Sequence, residues 1–235
     1  MIQTVNIFTH GPHDSLGLLP QALQQMGVAY HVVDVSDLSQ DLPHVADVAW
    51  AVFLGSPESA YDDDLPWLAR EISYLQMLYQ AQVPILGICF GSQVLARSLG
   101  GTVKLNSEFE YAWVTLNEEA QQLGLPRGPW FAFHFDAFTP PAQATVLGKS
   151  DLAHQAYVCG NAMGVQFHPE ISIEMFDSWL EHWQQTAAGG HFVTQHLADI
   201  TEIKAMLQAA QTEHLCHLTA LLNGFVGMVS TAQIK

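Results

Sequence analysis

Positive charge is scarce in this sequence. Its 235 residues carry 7 Lys and Arg against 23 Asp and Glu, a formal net charge of −16 at pH 7. A surface that negative repels phosphate backbones and anionic lipid, so neither nucleic acid nor a membrane is expected as a partner. Cysteine is scarce too. Cys89, Cys159 and Cys216 are widely spaced, form no CxxC pair and cannot all pair with one another. That argues against a disulfide framework or a zinc ribbon and fits reduced thiols in a cytoplasm. No apolar run reaches the roughly 18–20 residues of a membrane span. Met1-Ile2-Gln3-Thr4 lacks the basic-then-apolar pattern of a signal peptide, so none is expected. Also missing are internal repeats, low-complexity tracts and a Ser/Gly/Pro-rich linker. What is there in quantity is apolar: 49% hydrophobic residues, enough for a full core without staples. The length fits one α/β domain, or one with an appendage.

The first half alternates between two periods. Residues 5–8, 30–35, 48–54 and 83–89 read as short buried strands. Between them, residues 15–26 have helical spacing in Leu16, Leu19, Leu23 and Met26 with Gly27 as a stop. Residues 65–79 repeat it in Leu68, Ile72, Leu75 and Tyr79, and a further helix is predicted over 92–99. Continuous apolar strands alternating with helices predict a parallel sheet covered on both faces. From 102 to 167 strand-like runs dominate (102–105, 111–116, 130–135, 154–158 and 162–167), and antiparallel or edge additions to the sheet are the expectation. Helices return over 173–183 and 201–229. Gly189-Gly190 is the best candidate break, giving a domain over 1–190 and a helical extension over 191–235 packed on it.

Gly87-Ile88-Cys89-Phe90-Gly91 joins a strand to a helix and is the cysteine version of the G-x-S-x-G nucleophile elbow. A nucleophile on such a sharp turn needs small residues two before and two after it. The turn holds the sulfur at the C-terminal edge of the sheet, where open α/β folds bind ligands. The next helix aims its positive end at the sulfur, an environment that favours a thiolate, and Phe90 N–H is placed to donate to an oxyanion. An inert core thiol is the bland alternative; the two flanking glycines favour the nucleophile. A cysteine nucleophile also needs an imidazole and an acceptor to orient it. In Gly164-Val165-Gln166-Phe167-His168-Pro169-Glu170 an apolar strand ends at His168, Pro169 holds it extended, and side chains two apart point the same way. Glu170 can therefore accept from the His168 ring.

Gly87-Ile88-Cys89-Phe90-Gly91-Ser92-Gln93 resembles the G-x-C-x-G-x-Q signature of class I (triad-type) glutamine amidotransferases, and Gln166-Phe167-His168-Pro169-Glu170 resembles their Q-F-H-P-E signature. Leu54-Gly55-Ser56-Pro57-Glu58-Ser59 is similar to the family's glycine-rich oxyanion loop. The three blocks come in family order across roughly residues 45–185, and the likeness is to the amidotransferase domain of GMP synthetases and to related stand-alone proteins. The resemblance implies an α/β fold, a three-layer α/β/α sandwich with a mostly parallel, flavodoxin-like sheet, antiparallel additions and a C-terminal helical tail. It implies a Cys89, His168, Glu170 triad that cleaves the γ-amide of glutamine through a thioester and releases ammonia, with no cofactor and no metal. It implies an oxyanion hole from the N–H groups of Phe90 and Ser56, and substrate contacts from Gln93 and from the backbone near Phe135; His134 and Asp136 are equally readable as structural. Serine at position 56 departs from the usual glycine and resists a backbone flip, which leaves a fixed, a shifted or a trigger-dependent hole open. The sequence shows no Gly-rich nucleotide loop, so the ammonia would pass to a separate synthase subunit or to none.

Three other features have bland readings. Asp62-Asp63-Asp64 reads as a solvated loop with Asp64 capping the next helix rather than a metal site. His214 and His217 share a helix face near Cys216, but no third ligand is evident and an ordinary helix surface is expected. Trp179 and Trp183 are expected to pack their helix on the core. The apolar stripe of Leu215, Leu218, Leu221, Leu222, Phe225 and Val226 serves either the core or a homodimer or partner interface. Two rivals stand beside the glutaminase reading: a stand-alone γ-glutamyl peptidase-like hydrolase, and a catalytically weak regulatory or binding subunit that keeps the fold.

Overall fold

A computed structural model describes residues 4–11 and 14–232; Met1 to Gln3, part of the leader argument, lie outside them. Five strands run parallel: β1 (Thr4–Thr9), β2 (Ala29–Asp34), β3 (Ala51–Phe53), β4 (Ile85–Ile88) and β9 (Ala162–Val165). β7 (Thr145–Lys149) and β8 (His154–Cys159) extend the sheet antiparallel, giving the order β2-β1-β3-β4-β9-β8-β7. β3, β4 and β9 are buried at every residue, as strands covered on both faces must be. One face packs on α1 (Leu19–Met26) and α7 (Leu197–Ala232), with Leu23, Trp50, Leu222 and Phe225 in the shared core. The other packs on α2 (Leu68–Gln80) and α3 (Phe90–Ser98), around Phe8, Phe53, Leu75 and Leu95. The sandwich and its mostly parallel sheet are as expected.

Several local expectations are corrected. The runs at 102–105 and 111–116 are one strand, β5 (Thr102–Val114), broken in register between Leu105 and Glu110. It pairs with β6 (Trp130–Thr139) in a separate two-stranded ribbon and adds nothing to the central sheet. The helix expected from residue 15 starts at Leu19, because Gly17 turns at φ 53° so closely under Glu170 that a Cβ there would lie 2.0 Å from the Glu170 carbonyl oxygen. Asp64 caps nothing: residues 62–65 form a turn, α2 begins at Leu68 behind Trp67, and Asp63 instead pairs with Arg97 at 2.6 Å.

β7 and the five-residue α4 (Glu118–Gln122), capped by the Asn117 side chain, complete the middle of the chain. Gly189 and Gly190 make no break. They lie in α6 (Ala187–Gln195), and Gly189 passes where a Cβ would sit 2.4 Å from the Trp183 carbonyl oxygen. α5 (Ile173–Gln184), α6 and the start of α7 close over the ribbon in a third core containing Phe131, Phe133, Phe176 and Ile203. Trp179 and Trp183 pack there against Phe133, as expected. Of the two uses left open for the α7 stripe, Leu218, Leu221, Leu222 and Phe225 serve the core. His214 is buried against Trp113, and His217 packs on Trp130, so their face is packed rather than solvated. Among the described residues no helix is long and apolar enough to cross a membrane.

Candidate active site

The sharpest backbone feature lies where β4 becomes α3. Cys89 adopts φ 50° and ψ −112°, one of two non-glycine residues with positive φ among those described. The neighbours are built to hold it there. A Cβ on Gly87 would lie 2.6 Å from the Gly91 carbonyl oxygen, and one on Gly91 would lie 2.3 Å from that of Phe53. Cys89 N–H donates to Val165 (2.8 Å) and Gly91 N–H to Leu54 (3.0 Å), so the turn is tied to the strands on both sides. The sulfur thus sits at the C-terminal edge of the sheet, 9% exposed, at the start of a nine-residue helix.

His168 leaves β9 at the same edge. Its N–H donates to Phe131 of β6 at 2.7 Å, and the Trp179 ring meets the imidazole edge-on at 4.7 Å. Its Nδ1 donates to Glu170 Oε1 at 2.8 Å, both side chains being buried. Burial opposes a charged imidazole here. Electrostatic interaction with Cys89 and Glu170, together with the hydrogen bond to Glu170, overcomes it and raises the His168 pKa to about 10. Glu170 is inaccessible, and its carbonyl accepts from Leu18 N–H at 2.7 Å, so the N-terminal loop locks it in place. Cys89, His168 and Glu170 thus lie together at one edge of the sheet.

The loop after β3 borders the pair: a Cβ on Gly55 would lie 3.3 Å from His168 Cε1 and 3.7 Å from Cys89 Cβ. Ser56 follows it with no positive φ, and its Oγ accepts from Glu58 N–H. No protein acceptor among the described residues takes the N–H of Ser56 or of Phe90. Gln93 is 3% exposed; its amide nitrogen donates to the Asp136 carbonyl and to Gln166 Oε1. Phe135 turns its ring outward onto Phe109 and Phe192. His134 pairs with Glu110 at 2.9 Å, which with Gln155 holds that carboxyl below its usual range despite burial.

Two features were missed. Gln166 donates from Nε2 toward Cys89 Sγ at 3.7 Å, linking Gln93 to the sulfur. His10, just past β1, joins Glu71 of α2 at 3.0 Å and the Gly55 carbonyl at 3.2 Å. Glu71 gave a signal, because it stands on the buried stripe of α2 with Leu68, Tyr74, Leu75 and Leu78; an acid there needs a partner. Among the described residues no group of three or more His, Cys, Asp and Glu is placed to hold a metal ion.

The family described as glutamine amidotransferase class-I matches residues 16–183. A GMP synthase (glutamine-hydrolyzing) of Thermobifida fusca is 35% identical over 194 residues, covering 78% of this chain and 35% of that protein. One of Aeropyrum pernix is 33% identical over 178 residues, covering 69% of this chain and 33% of its own length. The chain thus spans about a third of these relatives. A glutamine amidotransferase structure from Thermotoga maritima superposes with a TM-score of 0.83 at 23% identity, covering 96% of this chain and 99% of that one. One from Methylobacillus flagellatus gives 0.80 at 22% identity, with 98% and 95% covered. With a family match over more than two thirds of its length, and a fold shared from end to end, this chain belongs to the class I glutamine amidotransferases.

Proposed function

We propose that this chain hydrolyses the side-chain amide of glutamine through a thioester on Cys89. The observation that carries the reading is His168 set beside Cys89 at the sheet edge, with its ring hydrogen-bonded to the buried Glu170. The Cys89 sulfur attacks the amide carbon, and the carbonyl oxygen takes the negative charge. His168 gives its proton to the departing nitrogen as the C–N bond breaks, so ammonia leaves and a thioester remains. His168 then takes a proton from water as that water attacks, and glutamate departs with the sulfur restored. Glu170 orients the ring throughout. The N–H groups of Phe90 and Ser56 are the donors to the oxyanion, and removing one such donor costs about 3 kcal/mol.

Gln93 acts on the substrate side by fixing the Asp136 carbonyl and Gln166, and the chain at Phe135 lends backbone rather than its ring. The ammonia goes to an ammonia-accepting synthase, in keeping with relatives named GMP synthase of which this chain covers a third. Residues 1–190 form the amidotransferase unit and 191–235 its helical extension, the division falling inside α6 and not at a linker; the chain's three free cysteines fit a cytoplasmic setting.

The test is ammonia release from glutamine and from a set of γ-glutamyl peptides, with Cys89→Ala as control. Glutamine cleavage lost in Cys89→Ala is the expected result. Cleavage undiminished in that variant overturns the mechanism, and a preference for the peptides moves the chain to the γ-glutamyl hydrolase reading.

A further inference from the structure

We propose that the buried His10–Glu71 pair is a positioning clamp that holds the Gly55–Ser56 peptide with its N–H turned toward Cys89, keeping the oxyanion hole formed before substrate arrives. The clamp rests on the reading of Ser56 N–H as an oxyanion donor. Its first support is topological. In the order β2-β1-β3-β4, the loop after β3 lies between the end of β1, which carries His10, and the end of β4, which carries Cys89. Its second is geometric. His10 Nδ1 lies 3.2 Å from the Gly55 carbonyl oxygen and Nε2 lies 3.0 Å from Glu71 Oε1, with both side chains wholly inaccessible. Both partners are acceptors, so a ring that satisfies both donates from both nitrogens and is an imidazolium.

In a trans peptide the C=O and N–H point to opposite sides. A Gly55 carbonyl held on the β1 side therefore sends Ser56 N–H to the other side, where Gly55 itself borders His168 and Cys89. Among the described residues, the groups facing His10 favour its charge or confine its ring. Glu71 comes from α2, and Asp14 from its own loop accepts His10 N–H at 2.8 Å. Trp67 and Phe90 flank the ring at 5.2 and 4.7 Å. Although burial opposes it, Glu71, the Gly55 carbonyl and Asp14 raise the His10 pKa. The clamp also explains how a serine serves where flipping would favour a glycine: the peptide is held, so no flip is required.

The test separates two reactions at one sulfur. Alkylation of Cys89 by iodoacetamide is a displacement with no oxyanion; glutamine cleavage needs the hole. In His10→Phe/Glu71→Leu both partners become apolar, which leaves no orphaned buried charge. Kcat for glutamine should fall about 100-fold, with KM and the alkylation rate within about threefold of the parent. Glu71→Gln keeps a neutral His10 donating to Gly55 and serves as the milder variant should the double one fail to fold. Its kcat should fall by several-fold with alkylation unchanged. Kcat at the parent level in either folded variant overturns the clamp, as does an equal fall in alkylation. If the parent shows no Cys89-dependent amide cleavage, the functional reading fails and takes the clamp with it. If the parent cleaves and the variants keep kcat, only the clamp fails.

Discussion

His168 is held between two negative groups in a dry setting, and its protonation is where structure and rate meet. Its pKa is raised from the ordinary histidine value of 6.5 to about 10, with Cys89 and Glu170 overcoming the burial that opposes them. If His168 carries the proton delivered to the leaving nitrogen, the basic limb of kcat/KM lies far above the ordinary histidine range. Replacing Glu170 by Gln removes one of the two charges while keeping a hydrogen-bond acceptor. The limb should move down toward 6.5 and the plateau should fall; a limb that stays in place would show that Glu170 does not act through this ring. These residues were legible in the sequence because each is a chemical type in a tight local pattern: a cysteine between two glycines, a His and a Glu two apart on extended chain. His10 was not, because its partners lie 45 and 61 residues away and a lone histidine among 12 carries little signal. Gln166 sat inside a recognised motif, but its approach to the sulfur depends on how β9 lies beside β4.

The elbow is an element-scale device, since neither β4 nor α3 alone would hold Cys89 at positive φ. Gly91 is where the helix start crosses the end of β3, with no room for a methyl group beside the Phe53 carbonyl. Gly91→Ala must push the elbow and β3 apart. It should cost about 1–3 kcal/mol of stability, as overpacking does, and lower kcat by about 100-fold, since a shift near 1 Å at the reacting atom is worth that much. Urea unfolding and steady-state rates check the two halves separately; a folded variant with parent activity would show that the close approach is not needed.

Elements with a strong period, such as β1, α2 and α5, were visible in the sequence, with ends a few residues off. Those that failed had competing local signals. The runs at 102–105 and 111–116 read as two strands, yet both pair with the same partner strand, so β5 runs through the irregularity between Leu105 and Glu110. Gly189-Gly190 reads as a break, whereas both lie in α6 and Gly189 is small because that helix begins against the Trp183 carbonyl.

The whole molecule carries −16 and buries two histidines with raised pKa values, and the two facts act on stability in the same direction. A histidine whose folded pKa is raised gives stability that is full below its unfolded value near 6.5 and is lost as pH rises through the folded value. His10 and His168 should therefore make the melting temperature fall from pH 6.5 toward 10. His154 and His214 are lowered chiefly by burial, and their contribution is lost below 6.5, outside that window. Tyr74, with its pKa raised to about 12 by burial, weakens the fold only above pH 10, where the unfolded chain ionises first. Surface repulsion also acts inside the window and grows as positive charge is lost. Salt separates the two, because ions screen exposed charges and leave buried pairs largely untouched. Melting temperatures measured from pH 6.5 to 9.5 at low ionic strength and at about 0.5 M, where the Debye length is only a few Å, should fall in both. The slope at high salt is the buried share. It should be shallower in Glu170→Gln, which weakens the hold on the His168 proton, and shallower again once the His10 pair is also made apolar. A slope that vanishes in salt would mean that surface charge alone sets the alkaline limit of this fold.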